Sequence, residues 1–79
     1  MKTSNQIASA SFFANAMMQK GHCTYMSYNT YSLEVCIHAY SINEAVQVRK
    51  EAEFYTSDAK RAKPHRIGNS RAIALTWYF

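Results

Sequence analysis

Seventy-nine residues leave room for one folded domain, and we expect a single domain over residues 1–79. The composition, 48% hydrophobic and 18% charged, is too apolar for a disordered chain, and no apolar run reaches the ~18 residues of a membrane span. The net charge of +4 lies in one segment, because residues 58–71 hold five basic residues against one acid. No export signal is evident, so we expect a cytoplasmic protein with reduced Cys23 and Cys36.

The first predicted element is a helix from Ser4 to Lys20. Thr3 or Ser4 can cap its start, and Gly21 stands where a helix commonly ends. Apolar residues recur on one face at helical spacing, whereas Phe12 projects away from that face. The pattern predicts a helix packed on a sheet, with Phe12 outside the core.

Two strands are predicted next, over residues 22–28 and 32–40. The second alternates apolar and polar residues with a period of two, which indicates a strand with one buried face. A loop centred on Asn29-Thr30 would place Met26 opposite Leu33 and Cys23 opposite Cys36. A four-residue loop with the same centre is an alternative, and a loop of odd length would invert the two faces.

The second predicted helix begins at Ser41-Ile42-Asn43-Glu44, which has the form of a capping box. Its expected buried stripe continues at helical spacing: Ala45, Val48, Ala52, Tyr55 and Ala59. Phe54 faces away from the stripe. The sequence leaves open whether residues 56–63 continue this helix, although Pro64 prevents a regular helix from extending past them.

The chain closes with a strand over residues 71–79, whose apolar face carries Ile73, Leu75, Trp77 and Phe79. The order α-β-β-α-β predicts an α+β two-layer sandwich with a three-stranded sheet and both helices on one face. The partner of the last strand is left open. A right-handed crossover is expected if this strand runs parallel to the second strand.

No pattern typical of catalysis or of a cofactor site is evident, so we expect no enzyme activity, cofactor or metal. The three histidines and five acids show no convergent spacing, and the two glycines form no phosphate-binding loop. The expected register brings Cys23, Cys36 and His38 onto one face, near His22. However, a flat sheet face wraps a tetrahedral ion poorly, so we interpret them as two small apolar residues and a surface histidine.

The sheet face opposite the helices is expected to be uncovered and rich in tyrosine. Tyrosine-rich surfaces are common where proteins bind one another, because each ring offers a large area with a polar tip. The face holds one carboxylate, Glu34, and no expected Lys or Arg, which favours a protein partner over nucleic acid. The predicted protein-binding residues are Tyr25, His38, Tyr40 and Tyr78, with Phe12 and Phe54 on the helix flanks, unless these two phenylalanines pack against each other.

The sequence therefore predicts a small non-catalytic protein-binding domain of the inhibitor or adaptor type. Its size is typical of host-takeover or anti-defence proteins of phages and other mobile elements, and a homodimer is compatible with it. No membrane partner is expected. The alternative is nucleic-acid binding by the basic segment, through Lys60, Arg61, Lys63, Arg66 and Arg71, because clustered cations neutralise phosphates.

Overall fold

The computed structural model describes residues 2–79 and has, within them, the element order α1–β1–β2–α2–β3–β4–β5. The helices are α1 (Ser4–Gln19) and α2 (Ile42–Ala52). The strands are β1 (Cys23–Tyr28), β2 (Leu33–Ala39), β3 (Lys60–Arg61), β4 (His65–Arg66) and β5 (Ile73–Tyr78). This is an α+β fold with two helices, as the sequence predicted, and its sheet is antiparallel, which the sequence had left open for the last strand.

The sheet has five strands rather than the predicted three. Its order is β1-β2-β5-β3, with β4 also paired to β5, and every pairing is antiparallel. The last strand thus pairs with β2 in the antiparallel sense, so the handedness rule for parallel crossovers does not apply. The two unpredicted strands are only two residues long, which is too short for an alternating pattern to reveal them.

Strands β3 and β4 together form one interrupted edge strand along β5. Lys60 lies opposite Tyr78, and Ala62 continues that register by donating its N–H to Thr76 O at 2.9 Å. From His65, which lies opposite Ala74, the register is shifted by one residue. One additional residue is therefore accommodated around Pro64, in the manner of a β-bulge, and a proline is tolerated in such an edge position because no ladder hydrogen bond is required of it.

The β1–β2 hairpin has a different register from the predicted one. Met26 lies opposite Val35 and Tyr28 opposite Leu33, because the loop is centred on Thr30-Tyr31 instead of Asn29-Thr30. The Asn29 side chain shifts the turn by accepting hydrogen bonds from the N–H groups of Tyr31 and Ser32 at 2.8 and 2.9 Å. The shift is even, so the predicted assignment of residues to faces is preserved.

Side-chain caps define where the helices begin. Thr3 and Gln6 form a reciprocal capping box at α1, and Gly21, at φ 88°, follows the end of that helix. At α2, Ser41 Oγ accepts from the N–H of Glu44 at 3.0 Å. The Glu44 carboxylate accepts from the N–H of Tyr40, one residue before the cap. Helix α2 ends at Ala52, so Tyr55 and Ala59 reach the core from a turn and a loop rather than from the predicted longer helix.

The core lies between the two helices and one face of the sheet, here termed the helix face. Phe13 of α1 is its centre: its ring meets Trp77 edge-on at 5.1 Å and approaches Phe79 and Tyr55 at about 6 Å. The buried side chains come from both helices and from alternate residues of β2 and β5. Because both helices pack on the same side, no helix or strand of residues 2–79 covers the other side of the sheet, here termed the open face.

Candidate interaction surface

The open face is built from alternate residues of all five strands. Residues directly opposite one another in an antiparallel ladder point to the same side, so the register assigns the face. It carries Cys23, Tyr25, Ser27, Glu34, Cys36, His38, Lys60, His65, Ala74, Thr76 and Tyr78. Tyr40 follows directly after β2. Tyr25, Tyr40 and Tyr78 are 54%, 58% and 44% exposed, so they present large aromatic area to a partner.

Tyr25 is held in place by its neighbours on this face. Its ring centroid lies 4.8 Å from that of His38, a diagonal neighbour on β2, and the Cys23 thiol donates to the Tyr25 hydroxyl at 3.3 Å. The hydrogen bond with Cys23 raises the pKa of Tyr25, and a hydrogen bond with the same thiol also raises the pKa of Tyr40. Both phenols therefore stay uncharged at neutral pH and retain an O–H group for a partner.

The charge of the open face is balanced. In one row across the sheet Glu34 and Lys60 lie on either side of Tyr78. The sequence predicted a face without Lys or Arg, which is wrong for Lys60, because β3 was not anticipated and the ammonium group enters with that strand. One carboxylate and one ammonium group still leave this face without net charge, if His38 and His65 are neutral.

Phe12 and Phe54 belong to a different surface. Both are exposed, and they line one groove of about 570 Å³ on the helix side of the molecule, together with Tyr55. Phe12 packs against Tyr55 with 5.6 Å between ring centroids, rather than against Phe54 as the alternative interpretation had it. The predicted protein-binding residues therefore fall on two opposite sides of the fold and cannot form one continuous contact.

The five cations of the basic segment are exposed but do not form one stripe. Lys60 and Arg61 are consecutive in β3, so they point to opposite sides of the sheet. Arg66 and Arg71 line a groove of about 300 Å³, beside Tyr40 and the start of α2. Lys63 lies at the bulge. None of the five forms an ion pair with a carboxylate of residues 2–79.

The predicted cysteine pairing is not formed. Cys36 lies opposite Tyr25, and Cys23 lies opposite His38, because the hairpin register differs by two residues. Both thiols are free. Among the described residues no three His, Cys, Asp or Glu side chains are grouped as ligands for a metal ion.

His22, considered above with the two cysteines, lies instead between two carboxylates of α2. Its Nδ1 is 3.0 Å from Glu44 Oε2 and its Nε2 is 3.5 Å from Glu51 Oε2, while Lys20 Nζ is 3.5 Å from Glu51. A hydrogen bond from the Tyr40 N–H and one with His22 lower the pKa of Glu44. Desolvation opposes ionisation of Glu51, but Gln47, Lys20 and His22 outweigh it and lower the pKa.

The ion-pair group of Lys20, His22, Glu44 and Glu51, here termed the clamp, joins the start of β1 to α2. The sequence held one partial signal for it, since Glu44 and Glu51 are seven residues apart and lie two turns apart on one helix face. Nothing in the sequence placed His22 beside that face. Nδ1 of the histidine is hydrogen-bonded to Glu44, whereas Nε2 lies near Glu51 Oε2, an oxygen without a hydrogen-bond partner, and the largely buried ring suits a structural role.

Comparison with protein-family models, with curated proteins and with solved structures found no match for this chain. Neither helix among residues 2–79 is long and apolar enough to cross a membrane. The surface features that bear on function are the open face, the Phe12–Phe54 groove and the Arg66–Arg71 groove.

Proposed function

We propose that this protein is a small non-catalytic protein-binding domain that contacts its partner through the open face. The observation that carries the proposal is the exposure of Tyr25, Tyr40 and Tyr78 on a sheet face that no helix covers. Tyrosines at protein contacts bury large area at low entropic cost and donate a hydrogen bond from the ring tip. These three tyrosines, which lie on β1, directly after β2 and on β5, are termed the tyrosine platform.

The charge of the platform supports a protein partner. A surface that stacks nucleic-acid bases generally has cations beside the aromatic rings to neutralise phosphates. Here Lys60 is balanced by Glu34, and Arg61 points to the other side of the sheet. Arg66 and Arg71 share a groove with Tyr40 alone of the three tyrosines. A balanced aromatic surface matches the centre of a protein interface, where charged residues are depleted.

The pairing of His22 with carboxylates supports a non-catalytic role. A general base needs a free nitrogen within reach of a substrate. The His22 side chain is only 11% exposed, and both of its nitrogens face glutamates. Binding and occlusion of a target, as by an inhibitor or adaptor of the host-takeover or anti-defence kind, is the activity that we propose for the open face.

Nucleic-acid binding is the second candidate, and the Arg66–Arg71 groove favours it. Arg66 and Arg71 line one groove together with Tyr40, and guanidinium groups suit phosphate oxygens. Such binding should weaken steeply as salt rises, whereas an uncharged aromatic interface should be largely retained.

The test is capture of partners by the tagged chain from lysate of its native host, in nuclease-treated and untreated halves. The Tyr25→Ala/Tyr78→Ala variant, which leaves the Arg66–Arg71 groove intact, should lose a partner that the wild type retains after nuclease treatment. Tyr31→Ala is the matched control, because Tyr31 is 91% exposed in the β1–β2 loop and lies off the open face. The proposal is overturned in favour of nucleic acid if Arg66→Glu/Arg71→Glu loses the partner while the tyrosine variant keeps it, or if the wild type captures no partner that survives nuclease treatment.

A further inference from the structure

Strand β1 forms one edge of the sheet, and its outward backbone groups can be assigned from the hairpin. Asn29 N–H donates to Ser32 O at 2.9 Å, so this pair is hydrogen-bonded, and hydrogen-bonded pairs recur at every second residue of an antiparallel ladder. Ser27, Tyr25 and Cys23 therefore bond to β2. Thr24, Met26 and Tyr28 direct their N–H and C=O groups away from the sheet. Three donors and three acceptors are thus presented along this edge.

These outward groups are self-complementary about Met26. If a second β1 runs antiparallel with Met26 opposite its own copy, Thr24 of each chain lies opposite Tyr28 of the other. All three outward residues then form hydrogen-bonded pairs at once, and the two open faces lie on the same side of the joined sheet because the register is even. The neighbouring even registers pair fewer of these groups.

The distribution of charge also matches a second copy of this chain. Two molecules of net charge +4 repel each other unless they meet through an uncharged region. Residues 3–19 and 21–33 contain no Asp, Glu, Lys or Arg, and they form α1, β1 and the hairpin loop. Four cations of the basic segment lie in or between β3 and β4, beyond β2 and β5, at the far edge of the sheet: Lys60, Arg61, Lys63 and Arg66.

We propose that β1 pairs with β1 of a second copy, which joins the two sheets into one continuous sheet about a two-fold axis at Met26. The occupant of the edge is another molecule of the same chain. The inference is independent of the proposed function, because the edge groups lie in the plane of the sheet while the tyrosine platform faces outward from it.

The first test is sedimentation velocity of the untagged chain from about 1 µM to about 1 mM, the range of weak to moderate association. The wild type should approach twice its monomer mass of 9.1 kDa as concentration rises. Met26→Lys should remain a monomer, because two ammonium groups would lie directly opposite each other. Val46→Lys is the matched control, an exposed apolar residue on α2 away from β1, and it should dimerise like the wild type.

The second test fixes the register by cross-linking. In a Cys23→Ser/Cys36→Ser background, Met26→Cys should form a disulfide-linked dimer under mild oxidation. The two Cα atoms of such a pair lie about 5.5 Å apart, within disulfide range. Ser27→Cys should not cross-link, since the offset separates its copies by more than about 7 Å.

The proposal is overturned if the wild type stays monomeric throughout, if Met26→Lys dimerises as well as the wild type, or if both single-cysteine variants cross-link equally. Far-ultraviolet circular dichroism of each variant establishes that it is folded. A variant that fails to dimerise but still captures the nuclease-resistant partner separates this interface from the open face. If the Tyr25→Ala/Tyr78→Ala variant captures the partner as well as the wild type does, with dimerisation intact, the proposed function alone is contradicted.

Discussion

The two edges of the sheet are built in opposite ways. The β3–β4 edge is two short strands with a bulge between them, and it carries Lys60, Arg61, Lys63 and Pro64. The β1 edge is six regular residues without a charge, a proline or a bulge. Charged residues, prolines and bulges are the features by which natural sheets prevent unwanted strand pairing. One edge of this sheet is protected against a further strand, and the other is not.

The difference shows that exposure alone does not mark an edge for binding. Both edges lack a neighbouring strand within residues 2–79, and only the residues along them distinguish one from the other. The protected edge holds most of the net charge of the chain. The basic segment therefore has a structural explanation, blocking of an edge, beside the phosphate binding that its composition suggests.

The largest expected effect comes from proline substitutions on β1. Tyr25→Pro removes an N–H that bonds to β2, and we expect a loss of about 3 kcal/mol in the free energy of unfolding or no folded protein at all. Met26→Pro removes an outward N–H, so the monomer should lose much less. Urea denaturation of both variants at low protein concentration, followed by circular dichroism, measures the difference. Equal losses would mean that the outward and inward groups are wrongly assigned.

A smaller effect is expected from removal of the protection on the other edge. Lys63→Val/Pro64→Val restores a backbone donor and removes a charge, which makes the β3–β4 edge able to pair. One regained hydrogen bond contributes about 1 kcal/mol to the free energy of association, which is about a fivefold change in the association constant. Light scattering across a concentration series should show species larger than two copies. Lys50→Val, on an exposed part of α2, is the control and should show none.

The smallest expected effect is a pH dependence of stability from the clamp at the start of β1. The folded state lowers the pKa of Glu44 and of Glu51 from the ordinary 4.5, so the folded protein binds these protons more weakly than the unfolded chain. Their contribution is complete above that value and is lost as the pH falls through the folded-state pKa.

Urea denaturation between about pH 6 and pH 3 should show this loss for the wild type and a shallower loss for Glu44→Gln, since glutamine does not titrate. Glu53→Gln, a substitution of an exposed glutamate that follows the last residue of α2, should retain the wild-type profile. A Glu44→Gln profile identical to that of the wild type would show that Glu44 does not contribute.

The sequence predicted the helices, the three longer strands and the two faces of the sheet, because each rests on a local period or cap. The period-two run of β2 and the Ser41–Glu44 cap are signals of this kind. The hairpin register depended on one side chain, Asn29, which displaces the turn by one residue. Hydrophobic alternation fixes only the parity of a register, so the faces were right while the cross-strand partners were wrong.

The candidate site was predicted in part for the same reason. Alternation placed Tyr25, His38 and Tyr78 on one face, whereas Lys60 joined them only through tertiary pairing of a strand two residues long. Phe12 and Phe54 were correctly expected to be exposed, but helical periodicity gives no information on where two elements lie relative to each other. The clamp around His22 depends on how close β1 and α2 lie in the fold, so local sequence patterns could not predict it.

The burial of Trp77 gives this protein two separate optical signals. The chain has one tryptophan, which is 3% exposed against Phe13, and six tyrosines, three of which lie on the open face. Opening of the core should shift tryptophan emission toward longer wavelength. Contact at the open face should alter tyrosine emission and leave that of the tryptophan largely unchanged, so unfolding and partner binding can be followed in one cuvette without a label.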